Sequence, residues 1–242
     1  MKTITFRDLG RMSYDTAWKL QEELLQEVQG YRRDAGNHGP ENSAGYILFV
    51  EHPHVYTIGK SGKESNLLVP AEKLKEEKIA LYHIDRGGDI TYHGPGQIVG
   101  YPVVDLETLG IGVRKYVEIL EESVILTLKS LGLAAGRLTG ATGVWMHLDE
   151  GRIPEKICAI GVRVSRGVTM HGFAFNVNTD LKYFNDINPC GFTDKGVTSV
   201  ARETGQPANM DQVKALLLDN LTRLLGVRKA TEREASWKKT GV

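Results

Sequence analysis

The chain has 242 residues, 41% hydrophobic and 25% charged, an ordinary balance for a globular protein in water and enough chain to bury a core without staples. Lys plus Arg and Asp plus Glu each number 30, so the formal net charge is zero, which argues against a dedicated nucleic-acid binder. Only two cysteines occur, Cys158 and Cys190, too few for a disulfide scaffold and consistent with free thiols in a reducing compartment. No apolar run approaches the roughly 20 residues of a membrane span. The first residues, MKTITFRDLG, have neither a signal-peptide core nor an Arg-rich amphipathic presequence. A cytoplasmic protein without membrane or nucleic-acid partners is expected.

Alternation predicts a strand over Lys2 to Leu9. Ser13 then reads as a helix N-cap, with Tyr14, Trp18, Leu24, Leu25 and Val28 as the buried stripe. Residues 31–44 are polar and turn-rich and are expected to form a loop. Gly45 to Glu51 reads as a buried strand and Val55 to Ile58 as a short one. Ile79 to Ile84 and Gln97 to Val104 are further strands. Val113 to Leu131 has the period of a long amphipathic helix. Gly143 to Leu148 is expected to be a strand. Lys156 to Val164 and Val168 to Val177 flank Ser165-Arg166-Gly167 and predict an antiparallel hairpin. Residues 181–187 suggest a short helix. Asp211 is the expected cap of a last helix ending near Leu225, followed by a charged tail over 228–242. Strict βαβ alternation is missing, so the expected class is α+β: a mixed, largely antiparallel sheet with packed helices. No interdomain linker is visible, and one domain over 1–242 is expected.

The densest signal is Arg86-Gly-Gly-Asp-Ile-Thr-Tyr-His-Gly-Pro-Gly-Gln97. Ordered glycine loses more backbone entropy than any other residue, and the usual return is close approach of a ligand to bare backbone. The segment matches neither the P-loop pattern nor the dinucleotide fingerprint, so no nucleotide cofactor is expected. His52, His54, His83, His93 and His171 lack the paired spacing of zinc ligands, so no metal is expected either.

Cys158 lies in the apolar run Ile157-Cys-Ala-Ile160, the setting of a small buried hydrophobe. Cys190 lies in Asn188-Pro-Cys-Gly191, a turn from which a thiolate can reach a substrate. Lys156 begins an apolar strand. An ammonium close to a thiol favours the thiolate, and a deprotonated amine can act as a base. Strand parity puts Lys156 and Cys158 on one face, so parity does not decide which thiol Lys156 serves.

Five segments together decide what the residues alone leave open. Glu51-His-Pro-His-Val-Tyr-Thr-Ile-Gly59, the Arg86–Gln97 stretch, Lys156-Ile-Cys-Ala-Ile-Gly161, His171-Gly-Phe-Ala-Phe-Asn176 and Asn188-Pro-Cys-Gly191 occur in this order. In that combination the chain resembles the octanoyltransferases of lipoate biosynthesis, the lipoate-protein ligase B family. The resemblance implies a fold shared with the catalytic domain of biotin and lipoate ligases. It implies Cys190 as acyl-thioester nucleophile and Lys156 as the group that activates it. It implies an acyl pocket lined by Arg86, Gly87, Gly88, Asp89, Ile90, Thr91, Tyr92 and His93, by Ala159, Ile160 and Gly161, and by Gly172, Phe173 and Ala174. The implied donor is octanoyl-acyl carrier protein. The implied acceptors are lipoyl domains of 2-oxoacid dehydrogenase E2 subunits and the glycine cleavage H protein. Because carrier proteins are generally acidic, Lys60, Lys63 and Arg86 are expected near the mouth. The stretch 31–44 is not typical of the family. Rival readings are an ATP-dependent lipoate or biotin ligase on the same architecture, a non-catalytic acyl-protein binding module, and a thiol hydrolase using Cys190 with His93 or His171.

Overall fold

The computed structural model describes residues 1–31, 42–149, 151–188 and 195–231. In chain order the elements are β1 (Lys2–Arg11), α1 (Tyr14–Gly30), β2 (Ser43–Glu51), β3 (Val55–Ile58), α2 (Ala71–Glu76), β4 (Ala80–His83), β5 (Ile90–His93) and β6 (Gln97–Val104). There follow α3 (Leu106–Leu109), α4 (Val113–Ser130), β7 (Gly136–Leu138), β8 (Ala141–Met146), β9 (Glu155–Ser165) and β10 (Val168–Asn176). A 3-10 turn over Leu181–Asp186 precedes β11 (Gly196–Val197), α5 (Val200–Thr204), α6 (Met210–Leu225) and β12 (Val227–Lys229).

The large sheet runs β12-β1-β2-β6-β10-β9-β8-β7, with β11 added beside β9. Its central pairs are antiparallel, while β1 pairs parallel with both β2 and β12 and β11 pairs parallel with β9. The mixed, largely antiparallel α+β sheet is therefore as expected. Both faces are covered. Tyr46, Leu48 and Val50 pack with α1 residues Ala17, Leu24, Leu25 and Val28. Ile47 and Phe49 pack on the other face with Tyr116, Leu120 and Val124 of α4 and Leu217 and Leu221 of α6. Burial on both faces explains why β2 reads as an unbroken apolar run. Among the described residues no helix is long and apolar enough to cross a membrane.

A smaller sheet, β4-β3-β5, carries the glycine-rich segment. Ile90–His93 was not anticipated as a strand; it pairs antiparallel with β3 and turns through Gly94-Pro95-Gly96 into β6. The predicted hairpin is confirmed: Val168 pairs with Ser165 across Arg166 and Gly167, both at positive φ.

Two local expectations are corrected. The cap of α6 is Asn209, whose side chain accepts from Gln212 N at 3.1 Å, because the cap must sit one residue before the first helical residue; Asp211 lies inside the first turn. The expected tail begins as structure: Val227–Lys229 extends the sheet beside β1, and Ala230 N donates to Ile4 O. Most of the expected 31–44 loop (32–41) and residues 232–242 lie outside the described residues; Ser43 already belongs to β2.

Candidate active site

A cavity of about 520 Å³ opens between the β9–β10 hairpin, the Arg86–Gln97 segment and the Leu181–Asp186 turn. All the expected pocket residues line it except Gly87 and Tyr92. Gly87 is outside the wall because it ties two elements together: its N–H donates to Val162 O at 3.0 Å and its carbonyl accepts from Arg86 Nη1. A Cβ at Gly161 would lie 2.7 Å from Gly87 O, so the absence of a side chain there allows this contact. Tyr92 is fully buried behind the wall, hydrogen-bonded to His54 at 2.7 Å and stacked on Tyr183.

Arg86 corrects the expectation of a docking charge at the mouth. It is buried, and its Nη2 donates to Thr57 O at 2.8 Å and Thr57 Oγ1 at 3.0 Å, so it braces the smaller sheet against the cavity. Lys60 and Lys63 are exposed but stand off the cavity wall. The cations on the wall are Lys156, Lys182, Lys195 and Arg202 besides Arg86. Lys182 and Arg202 have side chains 67% and 57% exposed, which places them at the rim. No periodic signal in the sequence marked these residues, since each lies in a short turn or a short helix.

Lys156 reaches the wall because β9 is irregular. Val144 pairs with Cys158, yet Trp145 pairs with Lys156, so Ile157 is an extra residue on β9. Such a bulge reverses the alternation on one side of itself. Ile157 and Cys158 both enter the core, fully buried, while Lys156 lines the cavity. The parity argument that put Lys156 and Cys158 on one face is thereby overturned. Cys158 is not on the wall, and burial pushes its thiol pKa far up. The lysine stem passes Gly143, where a Cβ would sit 2.6 Å from Cys158 O and 3.4 Å from Lys156 Cε. The Lys156 ammonium lies 4.6 Å from the centroid of the Trp145 ring, a residue that sequence reading placed only in a strand.

Cys190 lies outside the described residues. The residues on either side of that gap, Asn188 and Lys195, both line the cavity. Downstream, Gly196 and Val197 pair with Glu155 and Lys156, and Thr198 N donates to Lys156 O at 3.1 Å. A hydrogen-bond chain joins this anchor to the other motifs. His93 Nδ1 donates to Gln97 Oε1 (2.9 Å), Gln97 Nε2 to Asn176 Oδ1 (2.9 Å), and Asn176 Nδ2 to Thr198 O (3.1 Å).

The histidines around the polar end are held neutral. Burial pushes His93 down to about 3 and His52 and His171 to about 4. His52 donates from Nδ1 to Met12 O and accepts from the Tyr101 hydroxyl, and His171 Nε2 donates to Asp85 at 3.0 Å. Backbone φ is +59° at His171. Among the described residues, His147, Glu155 and Glu203 form a group whose ligand-type atoms lie within 4.8 Å of one another, which sequence spacing did not indicate. His147 Nε2 is 3.3 Å from Glu155 and 3.2 Å from Glu203, Arg202 is 3.4 Å from Glu155, and Thr198 Oγ1 donates to Glu203.

A mixed sheet with packed helices, carrying a lysine and glycine-rich backbone on one cavity wall, is the architecture of a known class of ligases. The solved structure of a bi-partite lipoate protein ligase from Thermoplasma acidophilum has the same fold, with a TM-score of 0.66 at 18% identity, covering 99% of this chain and 91% of that one. The family model of the lipoyl protein ligase A/B catalytic domain matches residues 13–222, and the chain belongs to that family. It is 54% identical over 220 residues to the octanoyltransferase of Bacteroides fragilis, covering 90% of this chain and 95% of the relative. It is 50% identical over 225 residues to the octanoyltransferase of Flavobacterium johnsoniae, covering 92% and 97%.

Proposed function

We propose that the chain is an octanoyltransferase of protein lipoylation working through a thioester on Cys190. The observation that carries the reading is that Lys156 and both flanks of the Cys190 segment, Asn188 and Lys195, share one cavity wall. Lys156 and Gly161, both on that wall, are five residue steps apart on β9, at most about 16 Å at about 3.3 Å per residue and less across the bulge at Ile157. An extended octanoyl chain, seven carbon–carbon bonds of about 1.5 Å, spans about 9 Å and fits within it.

The Cys190 thiolate attacks the thioester carbonyl of octanoyl-acyl carrier protein, the new C–S bond forms, and the carrier thiolate leaves. This exchange of one thioester for another is nearly balanced. A neutral lysine amine of a lipoyl domain, on a 2-oxoacid dehydrogenase E2 subunit or the glycine cleavage H protein, then attacks the enzyme thioester. The amide forms, Cys190 leaves as thiolate, and the amine proton passes to a base, the role assigned to Lys156 in its neutral form. Passing from thioester to amide is downhill, so no ATP enters. The two bulky substrates visit in turn, as covalent catalysis allows. The setting is the cytoplasm, where the thiol stays reduced.

Intact-mass measurement after incubation with octanoyl-acyl carrier protein tests the scheme. An octanoyl adduct that persists in Cys158→Ala and is lost in Cys190→Ser is the expected result. An adduct that follows Cys158, or one that requires free octanoate and ATP, overturns it.

A further inference from the structure

The cavity lies on the α1 face of the large sheet: Val99 and Ala174, which line it, belong to the apolar cluster that α1 covers. Along that face the wall has two ends. Lys156, Gln97 and Asn176 stand at one, tied together through Thr198. Gly172, His171 and Tyr101 stand at the other, where Gly172 pairs with Gly161 and Gly161 abuts Arg86. From Asn176 to Gly172 is four residue steps on β10, at most about 13 Å at about 3.3 Å per residue. Beyond Gly172 the same face is closed, because Met170 and Val168 on β10 and Val103 on β6 pack under α1. Of the α1 residues, Tyr14 in the first turn is the one on the cavity wall.

We infer that Tyr14 ends the acyl pocket and so sets the longest chain the protein accepts. The inference rests on the reading of this cavity as the acyl pocket and adds the residue that fixes its length. The ring is 4% exposed and is gripped by other rings. It stacks on Tyr82 with centroids 5.4 Å apart and on His93 at 5.9 Å, and it meets His52 at 5.3 Å and Trp18 at 6.2 Å. His52 is itself fixed through Met12 O and the Tyr101 hydroxyl, each at 2.8 Å. Val55 and Ile84 belong to the same buried cluster as Tyr14, so the small sheet backs the ring as well. A side chain packed this closely yields only by displacing its neighbours. An extended octanoyl chain of about 9 Å uses most of the span between the two ends, and two further methylenes add about 2.5 Å. A longer chain therefore presses on a ring that has nowhere to retreat, while a shorter one buries less apolar surface and is held more weakly.

The test is a competition among hexanoyl, octanoyl, decanoyl and dodecanoyl thioesters of acyl carrier protein, read as the ratio of protein adducts by intact mass. That ratio does not depend on how much of a variant is folded. The unsubstituted protein is expected to favour octanoyl over decanoyl by about tenfold, the effect of two methylenes without room. Tyr14→Leu and Tyr14→Ala should raise the decanoyl share about tenfold, Tyr14→Trp should favour hexanoyl, and Tyr14→Phe should leave the ratios as they are. A second measurement needs no substitution. An octanoyl thioester with a diazirine at carbon 7 is photolysed on the unsubstituted protein, and the label is expected on Tyr14, Tyr101 or His171. Decanoyl shares unchanged in Tyr14→Leu and Tyr14→Ala, a shift of equal size in Tyr14→Phe, or a photolabel that spares that end overturns the inference. If no donor leaves an adduct on the protein, it is the thioester reading that fails, and the photolabel from the bound donor still decides the role of Tyr14.

Discussion

Gln97 Nε2 donates to Asn176 Oδ1 at 2.9 Å, joining the end of the glycine-rich segment to the end of β10. Both residues are buried, and Asn176 passes the connection on to Thr198 O, one residue from the strand pair that holds Val197 against Lys156. Removing the Asn176 amide leaves a buried donor on Gln97 and a buried carbonyl on Thr198 without this partner. Such losses cost about 1–3 kcal/mol each. Asn176→Ala is expected to lower the urea midpoint and to slow adduct formation beyond what the residual folded fraction explains. Equal losses in folded fraction and rate would reduce the chain to a purely structural brace.

Lys156→Ala is expected to move the pH midpoint of Cys190 alkylation up toward the ordinary thiol value of about 8.5 and to slow acylation at pH 7 by about tenfold or more. Lys156→Arg keeps the charge but removes the base, so alkylation is largely retained while transfer to the lipoyl domain falls. An unchanged midpoint in Lys156→Ala would end its role in activating the thiol.

Cys158 behaves as a core residue. It is fully buried and hydrogen-bonded only weakly, its Sγ 3.6 Å from Ala159 O. Cys158→Ala is expected to cost roughly 1–2 kcal/mol for the lost buried sulfur and to leave acyl transfer within about twofold of the parent. Alkylation mapping of the native protein should label Cys190 and not Cys158.

Stability should fall in mild acid because His52, His93 and His171 are held neutral by burial. The unfolded chain protonates these groups below the ordinary value of 6.5, whereas the folded protein takes up the same protons only near 4, 3 and 4. Between those values unfolding binds protons, so stability present above pH 6.5 is lost as pH falls, at about 1.4 kcal/mol per pH unit for each such histidine. Denaturation midpoints at pH 7 and pH 5 should show the drop, and His93→Gln should shrink it. The same drop in His93→Gln as in the parent would place the acid sensitivity elsewhere.

The exposed rim cation Lys182 and the half-buried wall cation Lys195 are expected to meet an acidic carrier. Lys182→Glu with Lys195→Glu should raise KM for octanoyl-acyl carrier protein several-fold at low salt and flatten its salt dependence, with kcat nearly unchanged. KM for a small octanoyl thioester should not move. Parallel increases for both donors would assign these residues to the cavity and not to docking.

Much of the architecture was legible along the chain because its signals are local. Apolar runs marked β2 and β6, the 3.6-residue period marked α1, α4 and α6, and a Gly-containing turn between apolar runs marked the β9–β10 hairpin. The short strand β5 was hidden by the glycines around it, and β12 by its charge, since a three-residue edge strand needs a neighbour more than a propensity.

By itself the sequence determined the fold class, the family and the chemical types available: a loop thiol, a strand lysine, a glycine-rich wall. Only the tertiary structure decided which way those groups face. One extra residue at Ile157 sends Cys158 into the core and Lys156 to the cavity, and the same bulge sets Trp145 opposite Lys156. Arg86 looked like a surface cation until its guanidinium was seen bonded to Thr57. Periodicity reports the average alternation of a strand, whereas a bulge or a buried charge depends on what the neighbouring strand places alongside it.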